Sequence, residues 1–230
     1  MPTKIFAMIP ARIGSERLKK KNLALLNKKP LIYYAINAAK KSKIFKEIYI
    51  NSDDKVFKKI ADQNKINFYL RPKKLGSSNT KSDDVVFDFL KKHQCDILVW
   101  INSIAPLQTS FEIQNAVKYF IKKKYNSLIT INEHFNHALI NKKPINFKTN
   151  SKFMKTQDLK PLQIMVYSQM MWKSKSFIKS YNKNKNAILH GKVGYFPVSR
   201  EAGIIVKYES DLKILSILLK KSKFKLKYYK

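Results

Sequence analysis

An α/β fold built on a doubly wound, mostly parallel sheet is predicted by three observations. Short apolar runs rich in Ile, Val, Tyr and Phe alternate with segments whose apolar residues recur at helical spacing, the pattern of βαβ units. Polar loops follow those runs, at the strand ends where open α/β sheets carry their ligands. A length of 230 residues buries a sizeable core and suits one large domain better than two independent ones. The expected organisation is therefore a single domain over 1–230, with a small inserted excursion.

The elements follow in order. KIFAMI is a first strand that stops at Pro10, and PLIYYAINAAKKS is the first helix. EIYINS, INFYL, DILVWIN and SLITIN read as further strands, separated by the helical segments DDKVFKKIADQ, SDDVVFDFLKKH and SFEIQNAVKYFIKKK. Thr109 with Glu112 three residues on forms a capping box for the helix after DILVWIN, and Ser82 is the expected N-cap of DDVVFDFL. Asp83 and Asp84 then favour the positive end of that helix. Residues 133–163 carry scattered Pro, Asn and Lys with weak periodicity, which marks them as an insertion. IMVYSQMMW returns as a strand, GYFPVS and IIVKY add two more, and ESDLKILSILLKK closes the fold as a helix. Met170, Met171 and Trp172 belong to the core or floor a sugar pocket. Neither an internal repeat nor a linker is evident.

Composition excludes several function classes. The net charge of +32 invites nucleic acid, yet only four of 47 basic residues are arginine, and the lysines are spread over nearly every segment. Bidentate phosphate and base readout favours arginine, so nucleic acid is not the expected partner, and the tail SKFKLKYYK is the best place for any such binding. The single cysteine, Cys95, cannot form an internal disulfide and points to a structural role in a reducing compartment. No run approaches the roughly 20 apolar residues of a membrane span, and the first apolar run is too short for a signal peptide. A cytoplasmic protein with no membrane partner is expected. His134 and His137 lack further ligands at zinc spacing and read as loop or sugar-contacting residues.

The stretch IPARIGSERLKKKNL carries the clearest chemistry. Gly14 permits close backbone approach, Ser15 offers a hydroxyl, and Arg12, Arg17 and Lys21 supply charge, which suits a polyphosphate; a merely solvated basic loop is the alternative. Neither GxxxxGK[ST] nor GxGxxG occurs. The loops at 10–22, 71–82 and 102–109 should line one crevice. Asp53, in the Ser-Asp after EIYIN, either orients nucleotide or metal or caps the next helix.

These residues resemble a known family. IPARIGSERLKKKNL is similar to the N-terminal signature of the cytidylyltransferases that make CMP-sugars, particularly CMP-sialic acid (acylneuraminate) synthetases. EIYINSDD, LRPKKLGSSNTKSDDVV, WINSIAPLQT, MKTQDLKP and ESDLKIL resemble that family's later motifs in the same order. The resemblance implies attack of the anomeric hydroxyl of a nonulosonic acid on the α-phosphate of CTP, with release of pyrophosphate, for surface polysaccharide synthesis. It gives Arg12 and Lys21 a catalytic part with Ser15 on the triphosphate and Asn22 and Asn102 near the nucleotide, and it has Arg71 and Ser82 reading cytosine. It also implies Mg²⁺, the homodimer usual in the family, and 133–163 as the dimer-contact element.

Departures from the family pattern are informative. In WINSIAPLQT, Asn102, Ile104, Ala105 and Gln108 stand where the family has Gln, Thr, Ser and Arg. The family's strand facing the sugar has no clear counterpart near MVYSQMMW. Its metal-chelating Asp-x-Asp aligns on Ile205 and Lys207, neither of which offers a side-chain oxygen. A retained but weakly held Mg²⁺ would then depend on Asp53, with Asp211 as second candidate. The alternative is a homologue that binds nucleotide or sugar without catalysis.

Overall fold

The computed structural model describes residues 3–220, so the tail SKFKLKYYK lies outside the described residues. Seven strands form the central sheet: β1 (Ile5–Ala11), β4 (Glu47–Ser52), β5 (Asn67–Leu70), β6 (Ile97–Ile101), β7 (Ser127–His134), β10 (Leu162–Lys173) and β11 (Val193–Pro197). Their spatial order is β11-β7-β10-β6-β1-β4-β5. The β5-β4-β1-β6 half is wholly parallel, and β11 runs parallel to β7, whereas β10 is antiparallel to both its neighbours. Pro10, which has no N–H to donate, falls where the ladder from β1 to β6 has already ended at Met8.

Helices cover both faces. On one side, α1 (Ile32–Ser42), α2 (Val56–Gln63) and α4 (Ser110–Lys122) bury Ile36, Phe57, Ile113 and Phe120 against the odd-numbered residues of β1. On the other, α3 (Ser82–Lys92) and α5 (Ser174–Asn184) pack Phe89 and Phe177 against Phe6, Met8, Met170 and Trp172. Met171 faces the first of these clusters, so the Met-Met-Trp run is core and not a sugar floor.

The capping box of Thr109 and Glu112 forms as the spacing predicts. Ser82 is not the N-cap of α3. Lys81 takes that position without a side-chain bond, and Ser82 is the first helical residue. Asp83 and Asp84 do sit in the first turn, but they also reach across the fold. Asp83 accepts the amides of Ala187 and Ile188 at 2.6 and 3.0 Å, and Asp84 accepts the Tyr181 hydroxyl at 2.6 Å, which fastens α5 and the segment after it to α3.

IIVKY is not a strand. Residues 204–208 form an irregular strap between a 3-10 turn at Glu201–Gly203 and α6 (Glu209–Lys220). Its apolar residues are consumed by a third cluster, in which Val206 packs with Leu26, Leu31 and Leu215. The Val206 amide donates to the Ile104 carbonyl at 2.9 Å, so the strap lies against the 102–109 loop. The excursion is also narrower than its weak periodicity suggests, because Glu133 pairs with Gln163 and His134 with Leu162 in the sheet ladder.

A short repeat is present, where none was expected. β2 (Leu25–Leu26) and β3 (Lys29–Pro30) form a hairpin in ALLNKKPL; β8 (Leu139–Ile140) and β9 (Lys143–Pro144) form another in ALINKKPI. Both turns place Asn and Lys at positive φ: 47° and 65° at Asn27 and Lys28, 49° and 65° at Asn141 and Lys142. Two consecutive positive φ values are the mark of a tight hairpin turn matched to strand twist.

Candidate active site

Outside the carboxyl ends of β1, β5 and β6 the three loops anticipated above converge on one crevice of about 350 Å³. The 10–22 loop contributes Arg12, Ser15, Arg17, Lys21 and Asn22; the 71–82 loop brings Arg71 and Ser82 with the hydroxyls of Ser77, Ser78 and Thr80; the strand-end loop brings Trp100, Asn102 and Ser103. Three of the chain's four arginines line this one space. The general lysine excess is diffuse, but the arginines are concentrated.

The floor is built from buried polar side chains. Asn22, 6% exposed, donates from Nδ2 to the Arg12 carbonyl at 3.3 Å. Its Oδ1 lies 2.8 Å from Ser103 Oγ, which is also 2.8 Å from the Pro10 carbonyl. This triangle ties the start of the basic loop to the end of β6. Asn22 thus spends its amide on positioning the loop, and the nucleotide role implied for it would act through that positioning. Asn102 is similarly engaged, donating to the Tyr167 carbonyl at 3.1 Å and accepting from the Ile104 amide at 3.3 Å. Gln108 donates to the carbonyls of Asn102 and Ala105 at 2.8 and 3.0 Å, so the glutamine that replaces a family arginine braces the loop.

Lys21 Nζ donates to the Val206 carbonyl at 3.1 Å, which draws the basic loop onto the strap. Its pKa is lowered by burial first, then by the charges of Arg17 and Arg12 and to a lesser degree Lys207, with Asp211 opposing. A cation depressed by neighbouring cations marks a site of positive potential awaiting an anion.

Arg71 is 4% exposed and fixed by the Asn51 carbonyl at 2.9 Å, the Asn51 Oδ1 at 3.3 Å and the Asp53 carboxylate at 3.5 Å. Its Nε has no partner among the described residues. Burial pulls the Arg71 pKa down while Asp53 offsets the shift. Gly76 lets the next loop close over this pair, since a Cβ there would overlap the Asp53 carboxylate.

The two metal candidates do not meet. Asp53 lines a neighbouring hollow with Asp54, Tyr69 and Asp88 rather than the basic crevice, and its charge faces Arg71. Asp211 Oδ2 accepts the amides of Lys207 and Tyr208 at 2.7 and 2.8 Å, ahead of α6. No group of three or more His, Cys, Asp or Glu residues able to hold a metal occurs among the described residues. Mg²⁺ is held by one or two carboxylates plus phosphate oxygens. The resemblance noted in the sequence implies a divalent metal, but the donor set of this crevice does not fit a protein-held one. The His134/His137 pair forms no site either, because His137 stacks on Phe153 at 4.1 Å.

Sequence reasoning missed Ser103, Trp100 and the hydroxyls of Ser77, Ser78 and Thr80. The run GSSNT between Leu75 and Lys81 was a visible signal for the hydroxyls. Ser103 and Trp100 gave none, since each reads locally as loop and strand.

Comparison with known proteins bears on the family and the fold. An N-acylneuraminate cytidylyltransferase of Escherichia coli O18:K1:H7 is 36% identical over 138 residues, 57% of this chain and 32% of that protein. The chain thus spans about a third of that relative's length. A post-translational flagellin modification protein B of Campylobacter coli is 28% identical over 98% of this chain and 99% of its own length. Among solved structures, a CMP:2-keto-3-deoxy-manno-octonic acid synthetase complexed with CTP shares the fold at TM-score 0.74 and 14% identity, covering 96% of this chain and 100% of that one. The family model described as cytidylyltransferase matches residues 6–221, and the chain belongs to the cytidylyltransferase family.

Proposed function

We propose that the protein transfers CMP from CTP to the anomeric hydroxyl of a sialic-acid-like nonulosonic acid. The hydroxyl oxygen bonds to the α-phosphorus, the bond to the bridging oxygen of the β-phosphate breaks, the hydroxyl proton passes to solvent, and pyrophosphate leaves. The single observation that carries this reading is the convergence of Arg12, Arg17, Lys21 and Arg71 with a row of hydroxyls on one crevice. Arg12 and Lys21 neutralise the leaving pyrophosphate, whose charge grows as the bond breaks. Ser15 supports the triphosphate. Arg71, with an unpartnered Nε, and Ser82 supply donors for the O2 and N3 of cytosine. The Escherichia coli relative, an N-acylneuraminate cytidylyltransferase, supports the acceptor class, and this reading includes a cytoplasmic role in supplying surface polysaccharide. No helix among the described residues is long and apolar enough to cross a membrane.

The working unit on this reading is a homodimer. The excursion exposes Leu139, Ile140 and Phe153 by 58, 60 and 75%, an apolar set that a second copy would cover.

A second reading, a homologue that binds nucleotide without catalysis, draws on the missing metal donors. Pyrophosphate release should be measured with each of the four NTPs and a panel of nonulosonic acids, in wild type and Lys21→Ala. The proposal expects release with CTP alone, reduced about 10²-fold or more in Lys21→Ala with a smaller change in CTP affinity. CTP binding with no release from any acceptor selects the second reading.

A further inference from the structure

We infer that the crevice binds triphosphate as a free polyanion, held by Arg12, Arg17, Lys21 and Lys207, and that the protein itself holds no divalent metal. The identity of that polyanion as the tail of CTP rests on the function proposed above.

Three observations carry the inference. Every charged residue lining the crevice is a cation. Both carboxylates considered as metal ligands are engaged elsewhere, Asp53 with Arg71 and Asp211 with the amides of Lys207 and Tyr208. Lys207 does not itself line the crevice, but its neighbours on the strap touch the basic loop on either side of it. Val206 accepts Lys21 Nζ at 3.1 Å, and the Arg17 guanidinium lies over the Tyr208 ring at 5.9 Å. Lys207 also contributes to the field that lowers the Lys21 pKa. The bond from its amide to Asp211 fixes the backbone at this point, at the position where the resemblance to CMP-sugar synthetases places a metal-binding carboxylate.

The physical argument is one of sign and of donors. Mg²⁺ sheds its water reluctantly and demands oxygen ligands, which neutral hydroxyls supply poorly. It would also enter a pocket of four like charges. An ammonium is a compact, strongly hydrated point charge with three donors, able to meet phosphate oxygens directly. Arg12 and Arg17 add planar guanidinium donors suited to the same oxygens. Charge that the family resemblance would assign to a metal is thus carried by the chain.

Calorimetric titration with inorganic pyrophosphate, in EDTA and in excess Mg²⁺, tests this. Binding is expected in EDTA and is expected to weaken about tenfold when Mg²⁺ has already neutralised the ligand, a loss of roughly one charge-assisted contact. Lys207→Ala should weaken binding in EDTA by a similar factor, and Lys207→Asp should make binding depend on Mg²⁺. Because Lys207 is exposed, an unchanged urea midpoint serves as the folding control. Pyrophosphate binding that requires Mg²⁺ in wild type, or unaltered affinity in Lys207→Ala, overturns the inference. Parallel titration with CTP and UTP separates the two claims. Metal-free pyrophosphate binding without preference for CTP sinks the cytidylyl reading and leaves this inference standing; Mg²⁺-dependent binding with CTP preference does the reverse. No binding of either ligand overturns both.

Discussion

The two hairpins, ALLNKKPL at 24–31 and ALINKKPI at 138–145, have nearly the same sequence and opposite surroundings. Their local structures agree bond for bond. Leu25 and Leu26 pair with Pro30 and Lys29, and Leu139 and Ile140 pair with Pro144 and Lys143. Leu31 donates to Ala24 as Ile145 donates to Ala138, at 2.9 and 3.1 Å. Burial then diverges. Leu26 and Leu31 are 1% and 0% exposed, beneath Val206 and Leu215 of the strap and α6, and the Tyr34 hydroxyl donates to the Leu26 carbonyl at 2.6 Å. Ile140 and Ile145 are 60% and 47% exposed. The excursion instead holds itself together locally, with Asn146 bonding Asn136, Ala138 and Lys160. Turn chemistry therefore shapes both hairpins, while the use each makes of its apolar face depends on which element the chain lays over it.

The largest expected effect separates the twins. Leu26→Ala should cost about 2–5 kcal/mol of stability by urea unfolding, because it opens a cavity beneath α6, whereas Ile140→Ala should stay within about 0.5 kcal/mol at protein concentrations low enough that no dimer forms. Equal losses would show that exposure does not distinguish them. A middle-sized effect should unite them: Asn27→Val and Asn141→Val each place a β-branched residue at positive φ and should cost about 1 kcal/mol alike. A cost confined to one hairpin would mean that its turn is imposed by packing. Smallest in stability is the double change Leu139→Glu with Ile140→Glu, expected within about 0.5 kcal/mol. Sedimentation should nonetheless shift from dimer to monomer. An unaltered sedimentation coefficient would remove the excursion from the proposed dimer contact.

Much of the fold was legible along the chain, and so was the composition of the crevice. The alternation of apolar runs with helical periodicity, the capping box at Thr109 and Glu112, and the concentration of Arg12, Arg17 and Lys21 after the first strand are all short-range signals. So are the two Asn-Lys turns, legible once set side by side. Tertiary structure decided the rest. IIVKY reads locally as a strand, yet its apolar residues serve the third cluster and no ladder accepts it. Glu112 caps α4 as the spacing demands, but its second oxygen also accepts the amide and hydroxyl of Ser199, 87 positions away. Burial pushes the Glu112 carboxyl up, and the bonds from Ser199 and Thr109 outweigh it, leaving its pKa below the ordinary 4.5. The same division runs through the site. The sequence by itself determined which charges stand near the first strand end, because residue type and local period act over a few positions. Only the tertiary structure decided that Asp53 turns to Arg71 and that Ser103 joins Asn22 beneath the basic loop. Each of those outcomes depends on partners distant in the chain, and a hydrogen bond or ion pair acts only over the few ångströms that folding brings together.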